Sequence, residues 1–255
     1  MSFAVIGGTG FYDFFSGEVA TVEVETPYGA VTMERGRVEG VEVIFLPRHG
    51  QGHSVPPHRI NYRANVVALR DLGVKNILAS AAVGTMRETM PPGSLAALTQ
   101  FLDFTRGRAS TFYDGADGKV VHTDMTQPYC SHLREELLAA AQVLGEQLHP
   151  EAVYVCAEGP RFETPAEIRM FQKFGGDLVG MTGVPEVVLA REAGMCYASV
   201  AIATNWAAGV SPEKIAHKEV SDLMEQHTPR VAALFKHVIR THAEIGCVCR
   251  ELPKA

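Results

Sequence analysis

The sequence predicts a layered α/β fold, because short β-branched runs alternate along the chain with amphipathic helical stretches. A chain of 255 residues with 46% apolar and 20% charged residues has the composition of an ordinary globular protein. The glycine and proline clusters are short enough to be loops, and neither an internal repeat nor a long polar linker separates two halves. We therefore expect a single layered domain over residues 1–255.

Six short β-branched runs are predicted to be strands: Phe3–Ile6, Val41–Leu46, Ile77–Ala81, Val153–Cys156, Asp177–Met181 and Tyr197–Thr204. Six stretches with apolar residues at helical spacing are predicted to be helices: Arg59–Leu72, His132–Leu148, Pro165–Phe174, Pro185–Ala193, Pro212–His227 and Pro229–Cys247. The segment 107–124 is expected to be one long irregular excursion. Helices between strands in this order predict a sheet that is largely buried.

The charge balance excludes a general affinity for polyanions. The chain carries 29 acidic and 23 basic residues, a formal net charge of -6. We therefore expect no nucleic-acid or membrane partner, and an anionic ligand must meet a local positive site. The sequence shows neither a signal peptide nor an apolar run of the ~18 residues that a membrane span requires, so a cytoplasmic location is expected.

The five cysteines are too few for a disulfide framework in a chain of this size. Cys130, Cys156 and Cys196 are expected to behave as small buried apolar residues. Cys247 and Cys249 are close enough in sequence for a strained disulfide or a redox pair, but two thiols alone do not make a zinc site. We favour the simpler interpretation, in which no metal is bound.

Three predicted strands end in residues suited to an anion. The first runs into Gly7–Gly8–Thr9–Gly10, where backbone N–H groups and a hydroxyl can approach a phosphate. The second ends at Arg48 and His49, and the third in the small residues Ser80–Thr85. Taken singly, each has a simpler explanation: a tight turn, a surface salt bridge or a loop histidine. Together, they favour a ligand site.

Two other segments carry groups suited to a planar heterocycle. Phe162 offers a ring and Glu163 a carboxylate acceptor, although a core phenylalanine and a helix N-terminal acid explain them equally well. Asn205 follows the last predicted strand, and its amide is both donor and acceptor.

The chain resembles the trimeric purine nucleoside phosphorylase and methylthioadenosine phosphorylase family from residue 3 to about residue 235. The segments that carry the resemblance are Gly7–Gly8–Thr9–Gly10, Pro47–Arg48–His49–Gly50, Asn61–Tyr62–Arg63–Ala64–Asn65, Glu158–Gly159–Pro160–Arg161–Phe162 and Met181–Thr182–Gly183–Val184–Pro185–Glu186. The resemblance implies a single nucleoside phosphorylase domain with a central mixed, partly barrel-like β-sheet flanked by helices. It also implies phosphorolysis of a purine nucleoside by a homotrimer or dimer of trimers, with inorganic phosphate as co-substrate and without a metal or organic cofactor.

The resemblance also implies a role for each matching residue. The phosphate-binding residues would be Thr9, Arg48, His49, the backbone of Ala81 and Ala82, and Thr182. The base-binding residues would be Phe162, Glu163, Asn205 and Ala207, with Asn205 as the catalytic residue. The ribose-binding residues would be Met181, His217 and His122, and His122 would reach the pocket of a neighbouring subunit.

Five positions predict the substrate. Members that cleave methylthioadenosine have an aspartate in place of Asn205, an acidic residue in place of Ala207 and a serine in place of Glu163. Asn205 and Glu163 instead complement the 6-oxo group and N1–H of hypoxanthine or guanine, and a mispaired buried polar group costs about 1–3 kcal/mol. His217 resembles the histidine that binds a ribose 5′-hydroxyl, whereas the apolar Val220 leaves methylthioinosine open. Inosine or guanosine is therefore the expected substrate; a methylthio nucleoside, a non-catalytic nucleoside binder and a hydrolase remain alternatives.

Overall fold

A computed structural model describes residues 3–8, 11, 14–15, 17–50, 52, 54–116, 118, 120–212, 217–244 and 246–252 of the chain. These residues form a layered α/β domain around an eleven-stranded mixed sheet. The strands are β1 (Phe3–Gly7), β2 (Ala20–Val24), β3 (Val31–Val38), β4 (Val41–Pro47), β5 (Asn76–Thr85), β6 (Leu95–Ala97), β7 (Gln100–Phe104), β8 (Leu148–His149), β9 (Val153–Ala157), β10 (Leu178–Gly180) and β11 (Cys196–Trp206). The helices are α1 (Tyr62–Asp71), α2 (Ser131–Leu144), α3 (Pro165–Lys173), α4 (Gly183–Glu192) and α5 (His217–Thr241).

The sheet branches at its longest buried strands. One path runs in the order β2-β3-β4-β1-β5-β10-β9-β7, and β11 joins β5 to a short arm of β6 and β8. Strands β1, β4, β5 and β11 run parallel to one another, so their carboxyl ends meet at one edge of the sheet. Ligands of open α/β sheets bind at such an edge. Arg48 and His49 directly follow β4, and Asn205 lies at the carboxyl end of β11.

Helices cover both faces of the sheet, as predicted. Successive residues of β1 point to opposite faces: Ala4 and Ile6 pack with α1 and α4, whereas Phe3 and Val5 pack with α2 and α5. All four side chains are buried, so the sheet lies inside the domain. The three predicted buried cysteines, Cys130, Cys156 and Cys196, are indeed buried.

All six predicted strands and the first four predicted helices are present, but some boundaries and some elements were wrong. The predicted helix 132–148 ends at Leu144, because Gly145 adopts a left-handed conformation with φ 69° that closes the helix. Leu148 then pairs with Leu95 in the sheet. Strands β2, β3, β6, β7 and β8 were not predicted from the sequence. Charged residues interrupt the apolar pattern of β3, and β6 and β8 are very short.

The two helices predicted on either side of Pro229 are one helix, α5. Proline inside a helix removes a hydrogen bond and costs about 3 kcal/mol. The residues after it offset that cost, because Val231, Leu234, Phe235 and Val238 form one fully buried stripe against the sheet. Among the described helices, none is long and apolar enough to cross a bilayer. The described residues of the 107–124 excursion form neither helix nor strand, as predicted.

Candidate active site

A cavity of about 620 Å³ opens at the carboxyl ends of the central strands. It brings together residues that are far apart in the chain. The predicted site residues on its wall are Arg48, His49, Ala82, Phe162, Glu163, Met181, Thr182, Asn205, Ala207 and Val220. One chamber therefore holds both the anion-binding and the heterocycle-binding candidates.

Arg48 lies at the inner end of this cavity with only 4% of its surface exposed. Its Nε and Nη2 atoms donate to the two carboxylate oxygens of Glu186 at 2.6 and 2.7 Å, and Nη1 donates to the Ser80 carbonyl at 3.0 Å. A guanidinium has five N–H donors, so two remain for a ligand after these three bonds. Arg48 is therefore held in one orientation and still presents donors to an anion.

Glu186 positions Arg48, a role that its place in the sequence does not reveal. The carboxylate is 1% exposed, lies on α4, and also accepts a hydrogen bond of 2.6 Å from the Tyr197 hydroxyl. Burial lowers the pKa of Arg48 and is the largest single influence, but the charge and the hydrogen bonds of Glu186, with smaller contributions from Tyr197 and Tyr62, together hold that pKa above its ordinary value. The guanidinium is therefore permanently charged, and its net attraction for phosphate is moderated by the paired carboxylate.

The backbone of β5 offers further donors beside Arg48. Strand β1 pairs with β5 only as far as Ala79, and β10 begins to pair at Gly84. Between these pairings, Ser80–Val83 has a strand neighbour on the β11 side alone. The predicted Ala81 and Ala82 backbone lies in this gap; the Ala82 side chain faces the cavity, whereas that of Ala81 packs in the core.

His49 and Thr182 line the cavity together with Arg48. The His49 ring Nδ1 donates to the Val55 carbonyl at 2.8 Å, which fixes the ring at the cavity wall. Thr182 precedes α4, and its hydroxyl makes no capping bond to that helix. Its backbone N–H donates instead to the Tyr154 hydroxyl at 3.1 Å. The Thr182 hydroxyl and the His49 imidazole therefore belong to residues that line the same cavity as the Arg48 guanidinium.

Asn205 reaches the cavity because β11 has a bulge. The register of β11 against β5 shifts between Ala203 and Asn205, and such a bulge redirects the side chains that follow it. The Asn205 Oδ1 accepts from the Thr204 hydroxyl at 3.0 Å, and Nδ2 donates to the Trp206 carbonyl at 2.8 Å. A Cβ at Gly84 would lie 3.3 Å from Nδ2, so glycine leaves room for this amide.

Glu163 is a buried carboxylate without a protein partner in the described chain. It is 9% exposed and lines the cavity, and its side chain forms no hydrogen bond with another described residue. Burial raises the pKa of Glu163. Thr164 and Glu167 form the capping box of α3, so Glu163 does not serve that helix as a cap. An N–H group on a ligand could supply the hydrogen-bond donor that this carboxylate lacks.

Phe162 and Met181 form apolar walls beside Glu163. Phe162 is 42% exposed, so its ring is not a core residue and is accessible from the cavity. Gly159 lies so close to Met181 that an added Cβ would be 2.5 Å from the Met181 sulfur. The loop after β9 is therefore packed directly against the residue predicted to lie under the ribose.

Three predicted residues are not among the described residues that line this cavity. Thr9 and the side chain of His217 lie outside the described residues, although Gly8 lines the cavity and α5 begins at His217. His122 lines a second cavity of about 650 Å³ instead. Within the described part of the chain, His122 is therefore not brought to the cavity that holds Arg48 and Asn205.

Comparisons with known proteins identify the family. The model of the phosphorylase superfamily matches residues 2–240. The chain belongs to the phosphorylase superfamily. It is 52% identical to a probable 6-oxopurine nucleoside phosphorylase of Dictyoglomus turgidum, with 100% of this chain and 97% of that protein covered. It is 53% identical to a probable S-methyl-5′-thioinosine phosphorylase of Methanopyrus kandleri, with 92% and 90% covered.

The fold of this phosphorylase matches the solved structure of a relative. Methylthioadenosine phosphorylase from Schistosoma mansoni in complex with adenine superposes with a TM-score of 0.88 at 36% identity, with 94% of this chain and 91% of that chain covered. The expected central mixed sheet flanked by helices is thereby confirmed.

Arg108 supports the wall of the cavity in this phosphorylase, and sequence reasoning missed it. It lies in the irregular 107–124 segment, yet its side chain is 3% exposed. Its guanidinium pairs with the Glu158 carboxylate at 3.0 Å and donates to the carbonyls of Met181 and Val184 at 2.9 and 2.7 Å. Arg108 thus ties together the loop before Phe162 and the segment that carries Met181. An arginine in an irregular segment gives no sequence signal of this role.

Proposed function

We propose that this chain catalyses the phosphorolysis of 6-oxopurine nucleosides, inosine and guanosine, to the free base and ribose 1-phosphate in purine salvage. The observation that carries the proposal is a single cavity with a charged, donor-rich end at Arg48 and, on its wall, the Glu163 carboxylate, which accepts no hydrogen bond from another described residue. Relatives that match this chain over nearly its whole length bear the name 6-oxopurine nucleoside phosphorylase, which supports the same activity.

The polar groups of the cavity support a 6-oxopurine as the base. An ionised Glu163 accepts from N1–H, which hypoxanthine and guanine carry and adenine lacks. The Asn205 amide donates to the 6-oxo group and contacts the N7 region. Phe162 packs against the base, and Ala207 leaves the pocket floor without a charge. The Glu163 carboxylate then gains a donor only from a base that carries N1–H.

In the proposed reaction, a phosphate oxygen attacks C1′ while the glycosidic bond to the purine breaks. The bonding electron pair leaves with the base, and the sugar passes through a state with oxocarbenium character. Thr9, Arg48, His49, Thr182 and the Ala81–Ala82 backbone hold phosphate. Asn205 is the catalytic residue that stabilises the negative charge on the departing base, and Met181 and His217 position the ribose. No residue bonds covalently to the substrate, and the reaction uses no metal or organic cofactor.

Methylthioinosine is the second candidate substrate, and the wall contributed by α5 favours it. Val220 and Met224 line the cavity, so an apolar 5′ substituent would find apolar contacts there. The base is the same 6-oxopurine in both cases, and the two candidates differ only at the sugar. The relative from Methanopyrus kandleri bears the methylthioinosine name.

A substrate panel tests the proposal. We expect kcat/KM at saturating phosphate to be higher for inosine and guanosine than for adenosine and methylthioadenosine by roughly 10-fold or more, because one mispaired polar contact costs about 1–3 kcal/mol. Methylthioinosine in the same panel decides the sugar preference. A preference for adenosine or methylthioadenosine would contradict the assignment of Glu163 and Asn205.

The acid limb of the pH profile tests Glu163. Because N1–H needs an ionised acceptor, kcat/KM for inosine should fall as pH falls through the Glu163 pKa, which burial raises above its ordinary value. Glu163→Gln should abolish this limb, since its amide oxygen accepts at every pH. Glu167→Gln is the matched control: the pKa of Glu167 is lowered to about 2 by Arg161 and the Thr164 cap, so its titration lies below the measured range. An identical acid limb in wild type and Glu163→Gln would remove Glu163 from base recognition.

We also propose that the protein is a cytoplasmic homotrimer or dimer of trimers, in which His122 of one subunit enters the pocket of the next. His122 lies away from the Arg48 cavity of its own chain, and the nearby Val120 is 71% exposed, both of which support a contact with another copy. Light scattering should give three or six chains per particle; a monomer with full activity would contradict this assembly.

A further inference from the structure

Four of the five cysteines meet at one point of the fold, which sequence spacing does not reveal. The sulfur atoms of Cys130, Cys196, Cys247 and Cys249 all lie within 4.8 Å of one another. Cys130 caps the start of α2, and Cys196 is the first residue of β11. The other two belong to the segment after α5, where residues 248–250 form a 3-10 turn.

We propose that this four-cysteine cluster binds one Zn²⁺ ion in a tetrahedral four-thiolate site. Zinc sites built from four thiolates have Zn–S bonds of about 2.3 Å, so a regular tetrahedron separates its sulfur atoms by about 3.8 Å. The sulfur atoms of Cys130 and Cys247 are 3.7 Å apart. A disulfide would need about 2.05 Å and would unite the sulfurs only in pairs.

The backbone holds the first two ligands in place. The Cys130 N–H donates to the Tyr197 carbonyl at 2.8 Å, which joins the start of α2 to the start of β11. The Cys196 N–H donates to the Lys75 carbonyl at 2.9 Å. Cys130 also stands at the N-terminus of a 14-residue helix, where the helix dipole favours a thiolate. Two of the four proposed ligands, Cys130 and Cys196, are thus held by hydrogen bonds that do not involve the segment after α5.

The surroundings carry compensating positive charge. On binding, Zn²⁺ replaces four thiol protons, which leave to solvent, and the site then has a net charge of −2. Arg250 follows Cys249, and the Arg191 Nη1 donates to the Val248 carbonyl at 3.5 Å. The Nε atoms of both arginines are buried, and neither has a hydrogen-bond partner among the described residues. The Nη atoms of Arg250 donate to Glu244 and Asn76 at 3.3 Å each, so the two buried Nε groups are the donors that these arginines still offer beside the four thiols.

The location indicates a structural role and provides a route of entry. Cys249 lines the second cavity, and Cys247 is partly exposed, so an ion can reach the thiols from solvent. Cys196 and Asn205 lie at opposite ends of β11, about 30 Å apart along an extended strand. The ion therefore ties the segment after α5 to the core and does not act on the nucleoside.

Metal analysis of the full-length protein tests the proposal. Protein purified without chelator should contain one zinc per chain, and Cys249→Ser and Cys130→Ser should each lose it. Cys156→Ser is the matched control, because Cys156 is equally buried but its sulfur faces the Val184 carbonyl away from the cluster. A strong chelator should lower the melting temperature of the wild type and of Cys156→Ser, but not that of a folded Cys249→Ser.

Cobalt substitution keeps the test decisive if a serine variant does not fold. The metal-free wild type titrated with Co²⁺ should show the thiolate charge-transfer and tetrahedral d–d bands, saturating at one ion per chain. The absence of these bands, with all five thiols free, would overturn the proposal. A whole-chain mass lower by two hydrogens for each bond among these cysteines would overturn it in favour of disulfides.

Discussion

Asn205→Asp should move the base preference of the enzyme from inosine towards adenosine. Aspartate has no donor for a 6-oxo group, but its carboxylate accepts from a 6-amino group. A mispaired buried polar group costs about 1–3 kcal/mol, so the ratio of kcat/KM for inosine to that for adenosine should fall by roughly 5- to 150-fold. The bulge in β11 and the space left at Gly84 position the new side chain in the same place, so the change is one of chemistry and not of shape.

Asn65→Asp provides the matched control for this substitution. Asn65 lies on α1, outside the cavity, and gains the same charge without approaching the substrate. The inosine to adenosine ratio should be unchanged in Asn65→Asp. An unchanged ratio in Asn205→Asp as well would refute the role of Asn205 in reading the base.

Glu186→Gln should have the second large effect, on phosphate and on stability together. The substitution leaves the buried Arg48 guanidinium without its carboxylate partner, and breaking a buried pair costs about 3–5 kcal/mol of the free energy of unfolding. The guanidinium is then free to rotate away from the cavity, so the KM for phosphate should rise by roughly 10-fold or more. Chemical denaturation and phosphate titration at saturating inosine measure the two effects.

Glu192→Gln separates positioning from mere loss of stability. Glu192 lies on the same helix α4 and is also buried, but its carboxylate accepts from neutral donors, the Thr111 hydroxyl at 2.8 Å and the Phe112 N–H at 2.7 Å. This variant should lose some stability and keep the phosphate KM of the wild type. If both variants raised the phosphate KM equally, Glu186 would be a structural residue and nothing more.

Local chemistry at strand ends made much of the fold and the candidate cavity predictable. Arg48 follows a β-branched run, and the carboxyl ends of parallel strands meet at one edge, so its closeness to Asn205 follows from strand order alone. Thr182 follows β10, which runs antiparallel to β5, so its place beside Arg48 does not follow from that rule. The specificity argument likewise needed only the donor and acceptor pattern of Glu163 and Asn205. These features depend on residues within a few positions of an element boundary.

Contacts between distant segments were not predictable in the same way. The Arg48 to Glu186 pair spans 138 positions, and nothing in the pattern of α4 distinguishes Glu186 from an exposed helical glutamate. Arg108 gave no signal, because an irregular segment has no periodicity to read. The four-cysteine cluster brings together residues from different elements. Cys130 and Cys196 are far in sequence from Cys247 and Cys249, so the spacing of the cysteines does not predict the cluster. Likewise, Pro229 predicted the end of a helix, but α5 continues through it because the apolar residues that follow are buried against the sheet.

Product analysis of inosine turnover with and without inorganic phosphate tests the central claim most directly. Phosphate binding at Arg48, His49 and Thr182 predicts that hypoxanthine and ribose 1-phosphate appear in equal amounts, and only when phosphate is present. Hypoxanthine and free ribose formed without phosphate would show a hydrolase. Inosine bound without turnover under either condition would show a nucleoside-binding protein, and either result would contradict phosphorolysis.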